Sequence, residues 1–214
     1  MEIRNKNILV ICAHIDDETY GLGGTLLKLA NPELQNKIKV ITFCYGLGGV
    51  DEDRIIRYYN NLDDIRCDGV VIGYNDVTLE SVSTLELSQE LNETIATLMP
   101  EPNIIFTHTT SDTHNDHKVV SALVDVWSRS KNTSIFHFFT GANTEWSDKS
   151  PEGKLFIDIT GFEKDKQRLI KRYKKYPKNN PLHPKKIKAK DSYFGSLVGV
   201  KSAEVFEVKR ICSE

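Results

Sequence analysis

The chain has 214 residues, with 28 Lys and Arg against 30 Asp and Glu, a formal net charge of −2 and 39% hydrophobic residues. That length supports one well-buried core and predicts a single domain over residues 1–214, while nothing in the near-neutral balance points to nucleic acid as the main ligand. Cys12, Cys44, Cys67 and Cys212 lie far apart with no C-x-x-C pair, which reads as thiols in a reducing compartment. The apolar run behind MEIRNKN is too short for a secretory leader and no stretch approaches a membrane span, so the expected location is the cytoplasm.

In chain order, the first apolar run predicts a strand from Ile8 to Ala13, and at its end stands AHIDDE, residues 13–18. A helix is expected over 22–30, after GLGG at 21–24, whose Gly21, Gly23 and Gly24 would turn the chain close to the site. A strand follows from Ile38 to Phe43, then a second GLGG at 46–49 and a helix over 52–66. Neither glycine turn spells G-x-G-x-x-G, and the first carries carboxylates where a pyrophosphate needs free amides, so a dinucleotide site is not expected. The rest of the first half reads as a strand from Val70 to Ile72, a helix over 84–98 closed by Pro100 and Pro102, and a strand from Ile104 to Thr107.

The segment SDTHNDH, residues 111–117, then opens a helix over 116–129. Strands from Ile135 to Phe138, Leu155 to Ile159 and Val205 to Val208 and helices over 162–175 and 185–192 complete the chain, with Pro177, Pro181 and Pro184 marking irregular backbone between those helices. Strand-length runs alternating with helical segments predict an α/β fold, a Rossmann-like three-layer sandwich with a mostly parallel central sheet. In such a sheet, ligands collect at the carboxyl ends of the strands, so the loops after the first, second and fourth strands should share one edge.

Packing gives no reason to cluster Asp16, Asp17 and Glu18 where a strand has just ended, because adjacent carboxylates repel unless a cation is near. His114 and His117 are three apart at a helix start, so their rings share one face and can converge on an ion, or on an ion and its substrate. Three of the six histidines fall in these two loops. With the aspartates they offer nitrogen and oxygen donors without thiolate, a set suited to zinc or another divalent first-row metal.

The stretch ICAHIDDETYGLGGTLLKL resembles the A-H-P-D-D-E-x-x-x-G-x-G-G-T motif of the PIG-L/LmbE-like zinc-dependent de-N-acetylases, and SDTHNDH resembles their D-x-H-P-D-H motif. Weaker similarities follow in order at EW (145–146), FIDIT (156–160) and AEVF (203–206). The resemblance implies an LmbE-like fold and a hydrolase that removes acetyl from an N-acetylated amino sugar or glycoconjugate of the N-acetylglucosamine type. It implies His14, Asp17 and His117 as metal ligands with one open position, and Asp16 as the general base. His114 would stabilise the oxyanion, Asp116 would hold the His114 ring and keep it protonated, and Glu18 would support the loop. Asp76 matches a position associated with sugar hydroxyls. Arg57 stands where the family tends to carry an R-x-x-E pair, although Asn60 replaces the glutamate. His108, just before the second motif, is a candidate to line the pocket or to serve a structural role, and Tyr193 and Glu145 are weaker pocket candidates.

Ile15 and Asn115 replace the prolines of the two motifs, which removes a fixed φ from each loop. Two other classes compete with the hydrolase: a metal-binding but inactive carbohydrate-binding protein, and a magnesium-dependent phosphoryl-transfer enzyme, which would not call for His117. Residues 164–190 hold twelve Lys and Arg and one acid, Asp165. That run reads as a solvated helical face, or as an attractor for a phosphate-bearing substrate such as a nucleotide sugar or a lipid-linked glycan at an anionic membrane surface.

Overall fold

The computed structural model describes residues 3–46, 50–140, 154–173 and 177–212. Among these residues seven strands are present: β1 (Asn7–His14), β2 (Lys37–Cys44), β3 (Asp68–Tyr74), β4 (Ile104–His108), β5 (Ser134–Phe138), β6 (Lys154–Asp158) and β7 (Ala203–Arg210). Six helices accompany them: α1 (Asp17–Leu29), α2 (Glu52–Ile65), α3 (Thr84–Leu98), α4 (Asn115–Trp127), α5 (Glu163–Arg172) and α6 (Pro184–Leu197).

The sheet order is β3-β2-β1-β4-β5-β7-β6. The first five strands in that order are parallel, and β7 runs antiparallel to both β5 and β6. Strand order reverses between β1 and β4, and the crevice at such a switch point lies beyond the carboxyl ends of those two strands. His14 and His108 are their last residues.

Alternation along β1 explains the layers. Ile8, Val10 and Cys12 enter a core shared with Leu22 and Leu26 of α1, Leu62 of α2 and Leu169 of α5. Leu9, Ile11 and Ala13 enter a second core with Leu87 and Leu91 of α3 and Val120 and Val124 of α4. The sheet is therefore covered on both faces, as parallel strands require, and each fully buried aliphatic side chain contributes about 1.5–3 kcal/mol.

Helix α1 differs from expectation. It starts at Asp17 rather than at residue 22, so its glycines lie inside it. Their role is close packing: a Cβ at Gly21 would lie 2.4 Å from the Phe138 ring, and one at Gly24 would lie 2.8 Å from Ile159. The helix kinks at Leu22 (φ −147°, ψ 21°), and Glu204 of β7 accepts the Gly24 and Thr25 amides at 2.9 and 2.6 Å. Lys166 of α5 in turn lies 2.7 Å from both Glu204 and Asp191, and all three side chains are buried.

Candidate metal centre

The turn from β1 into α1 builds the first half of the site. Asp16 caps α1 in the left-handed region (φ 112°), a conformation that costs an L-residue about 1–2 kcal/mol and survives only where its surroundings fix it. Here the Asp16 carbonyl accepts the Thr19 and Tyr20 amides at 3.0 Å, and its own amide donates to Glu18 Oε2 at 3.1 Å. Glu18 is fully buried and also accepts from Thr19 Oγ1 (2.6 Å) and Tyr173 Oη (2.9 Å). The folded-back turn aims Asp17 at its own strand, where Oδ2 accepts the His14 amide at 2.8 Å.

The loop from β4 into α4 supplies the other half. His114 caps α4 by accepting the Asp116 amide on Nδ1 (3.2 Å), and its own amide donates to Asp112 Oδ1 (2.8 Å). One turn into the helix, His117 projects into the crevice and holds Asp112 Oδ2 on Nδ1 at 2.9 Å. Burial opposes ionisation of Asp112, but the His117 hydrogen bond and charge, the His114 amide and the His108 charge together hold the carboxyl below its usual range.

Three donor atoms from the two halves face one another. His14 Nδ1 lies 3.2 Å from His117 Nε2 and 3.4 Å from Asp17 Oδ2, and the last two are 3.6 Å apart. A tetrahedral ion with bonds of about 2.1 Å needs its ligands roughly 3.4 Å apart, so the triangle has the edge lengths such an ion requires. The far nitrogen of each imidazole is held by carboxylate: His117 by Asp112, and His14 Nε2 by Asp76 Oδ1 (2.8 Å) and Asp116 Oδ2 (3.1 Å). Burial works against a charged His14, but Asp116, Asp17 and Asp76 together raise its pKa above the usual histidine range.

Asp16 lies outside this triangle. Its Oδ2 accepts from Arg54 Nη2 at 3.0 Å, and the same nitrogen donates to the Ile15 carbonyl at 2.7 Å. Burial pushes the Asp16 carboxyl up to about 7 against the pull of the Arg54 guanidinium. The missing proline at position 15 is thus compensated: the Ile15 side chain is fully buried in the core and its carbonyl is tied to α2. Asn115, in the other proline position, donates to Glu80 at 2.6 Å.

Four sequence expectations change. Arg57 does not reach the site; it faces Asp53 at 3.6 Å with its side chain 41% exposed, whereas Arg54 shares the inward stripe of Tyr58, Asn61, Leu62 and Ile65. Arg54 also lies across Gly46 (φ 98°), where a Cβ would meet its guanidinium at 2.1 Å. Asp116 does not hold the His114 ring; its carboxylate turns to His14 and accepts the amides of Val77 (2.7 Å) and Leu79 (3.1 Å). Burial and the neighbouring His117 and His14 lower the His114 pKa, against the expectation of a ring kept protonated.

His108, the fourth, lines no pocket: it is wholly buried, accepts the Ala13 amide on Nε2 (2.9 Å) and stacks on His117 at 3.9 Å, and burial pushes its pKa down to about 4.

Asp76 is in the cluster, and its Oδ1 also lies 3.9 Å from His114 Nε2. The next residue, Val77, has φ 60°, a strained conformation for a β-branched residue, and its amide is fixed by Asp116. Two residues of the cluster were not assigned from sequence. Asp112 had a signal, as the first acid of SDTHNDH, whereas Arg54 had none beyond lying one helical turn before Arg57. Glu145, Trp146 and residues 47–49 of the second glycine turn lie outside the described residues. Tyr193 stands exposed on α6, away from these contacts.

No curated protein sequence matches the chain. Solved structures share its fold. The A40926 pseudoaglycone deacetylase is 14% identical with a TM-score of 0.77, and each chain covers 100% of the other. The N,N'-diacetylchitobiose deacetylase from Pyrococcus horikoshii is 18% identical with a TM-score of 0.73, over 95% of this chain and 83% of that one. The 4-carboxy-2-hydroxymuconate hydratase from Pseudomonas putida KT2440 is 14% identical with a TM-score of 0.71, over 98% and 99%. At such identities the likeness shows the fold alone. The family profile described as PIG-L, GlcNAc-PI de-N-acetylase, matches residues 9–128, more than half of the chain and both loops that carry the cluster. The chain therefore belongs to the PIG-L family.

Proposed function

We propose that this protein is a metal-dependent N-deacetylase that hydrolyses the acetamide of an N-acetylated amino sugar or glycoconjugate, with an N-acetylglucosamine-type unit as the reacting group. The donor triangle of His14, Asp17 and His117 carries this reading, because its edges suit a tetrahedral ion and its imidazole donors disfavour magnesium. Zinc, or another divalent first-row ion, would be held by these three residues and would supply Lewis acidity and an acidified water. Family membership supports the activity, and two of the structural neighbours are deacetylases.

Asp16, next to the ligand Asp17, would accept a proton from the attacking water and pass it to the departing nitrogen, so that amide and water become acetate and amine. Arg54 holds that carboxylate in position and favours its ionised form. With Nδ1 taken by the Asp116 amide, His114 offers Nε2–H as the hydrogen-bond donor for the developing oxyanion. Asp76, beside both rings, is the candidate contact for a sugar hydroxyl.

A screen of N-acetyl sugars, free, nucleotide-linked and lipid-linked, scored by acetate release from the metal-loaded protein, tests the proposal. Release from at least one of them is expected. Sugar binding without acetate release would mark an inactive carbohydrate-binding protein instead.

A further inference from the structure

The basic run at 164–190 divides into two populations. Lys166 is buried between Asp191 and Glu204, while Arg168 and Arg172 pair with Asp64 at 2.8 and 2.6 Å. Lys164, Lys171, Lys185 and Lys188 are exposed, and no ion pair among the described residues engages them. They converge: Lys164 and Lys171 stand two turns apart on α5, Lys185 and Lys188 on the first turns of α6, and all four line one groove of about 540 Å³. The one carboxylate in that groove, Glu163, is occupied by the Gly161 amide (2.8 Å) and by Lys201 (3.2 Å).

The same helix exposes apolar side chains. Tyr193 is 60% and Leu197 53% exposed, and at roughly 3.6 residues per turn Lys188, Lys185, Tyr193 and Leu197 follow one another around the outward half of α6. In a chain of net charge −2, a cationic groove with exposed aromatic and aliphatic groups further along the same helix is a segregated surface, not a by-product of composition. Lysines, Tyr and Leu around the outward half of one helix complement a layer that is anionic outside and apolar just beneath.

We infer that α5 and α6 form a docking surface for an anionic lipid bilayer, with headgroup phosphates in the lysine groove and Tyr193 and Leu197 entering the interface. Among the described residues no helix is long and apolar enough to cross a membrane, so this contact would be peripheral and salt-sensitive.

Co-sedimentation of the full chain with vesicles tests it without reference to catalysis, so its outcome is separate from that of the deacetylase proposal. The expected result is binding to phosphatidylcholine vesicles containing about a quarter phosphatidylserine, little binding to phosphatidylcholine alone, and release on raising salt from about 0.1 to about 0.5 M. At about fivefold per lysine, Lys164→Gln, Lys171→Gln, Lys185→Gln and Lys188→Gln combined should weaken binding at least ~100-fold. Tyr193→Ser with Leu197→Ser should weaken it about tenfold with the salt dependence kept. All six positions are exposed, and an unchanged melting temperature would show that the variants fold.

Equal binding to neutral vesicles, or no vesicle binding, would overturn the inference, as would a quadruple variant that binds like the parent. So would vesicle binding untouched by the Tyr193 and Leu197 changes, because nothing would then enter the interface, or binding of soluble heparin as tight as that of vesicles, which would mark the groove as a site for soluble anions.

Discussion

Around the β1–α1 turn and the start of α4, carboxylates and imidazoles are largely buried and engage partners within the chain, whereas across α5 and α6 four lysines stand exposed without ion-pair partners among the described residues. Buried charge is expensive to leave unmatched, so the first region is a closed network in which removing one member strands another. Exposed charge costs little, and the second region can present its lysines to whatever approaches. Lys166 connects the two cases: it belongs by sequence to the basic run but by burial to the first kind.

The largest expected effects come from the closed network. His117→Ala should lose bound metal and acetate release together, while Asp16→Asn should lose about 10²–10⁴ in kcat with metal content near that of the parent. Metal analysis beside an acetate assay reads both, and equal metal loss in the two variants would refute the separation of roles. Lys166→Met should cost about 3–5 kcal/mol, because Asp191 and Glu204 are left buried without their shared cation, and a denaturant titration would measure it. Asp112→Asn should weaken metal affinity about 10–100-fold by loosening the His117 ring, as a chelator competition would show.

Arg54→Gln produces a smaller change. Removing the guanidinium removes the main influence that lowers the Asp16 pKa, so the acid limb of the pH profile for kcat/KM should move to higher pH. A limb that stays in place would mean that Asp16 does not set it. The smallest effect belongs to the outward region: Lys171→Gln or Lys185→Gln should change stability by no more than about 0.5 kcal/mol. A larger loss in thermal unfolding would show that the lysines are not free.

The seven strands were legible because apolar runs of strand length bounded by turn residues have few other readings. The start of α1 was not, because Gly21 and Gly24 read as a turn when viewed locally and as close contacts only once Phe138 and Ile159 are in place. The imidazoles and carboxylates of the two motifs do meet, as their spacing suggested. Which carboxylate faces which ring was beyond the sequence. Asp116 lies two residues from His114 yet serves His14, more than a hundred positions away along the chain, because the β1 and β4 ends are neighbours in the sheet. Arg54 was missed because nothing local separates it from Arg57, one turn away; the packing of Tyr58, Leu62 and Ile65 decides which of the two turns inward.

The kink in α1 bears on how the chain is made. The amides it frees at Gly24 and Thr25 are taken by Glu204, about 180 residues later in the chain. During synthesis, the helix that begins with Asp17 and Glu18 therefore emerges long before the carboxylate that completes it, and the contact closes only once β7 has left the ribosome. Truncation ahead of β7 would leave a nascent chain holding both motifs and an unfinished first helix.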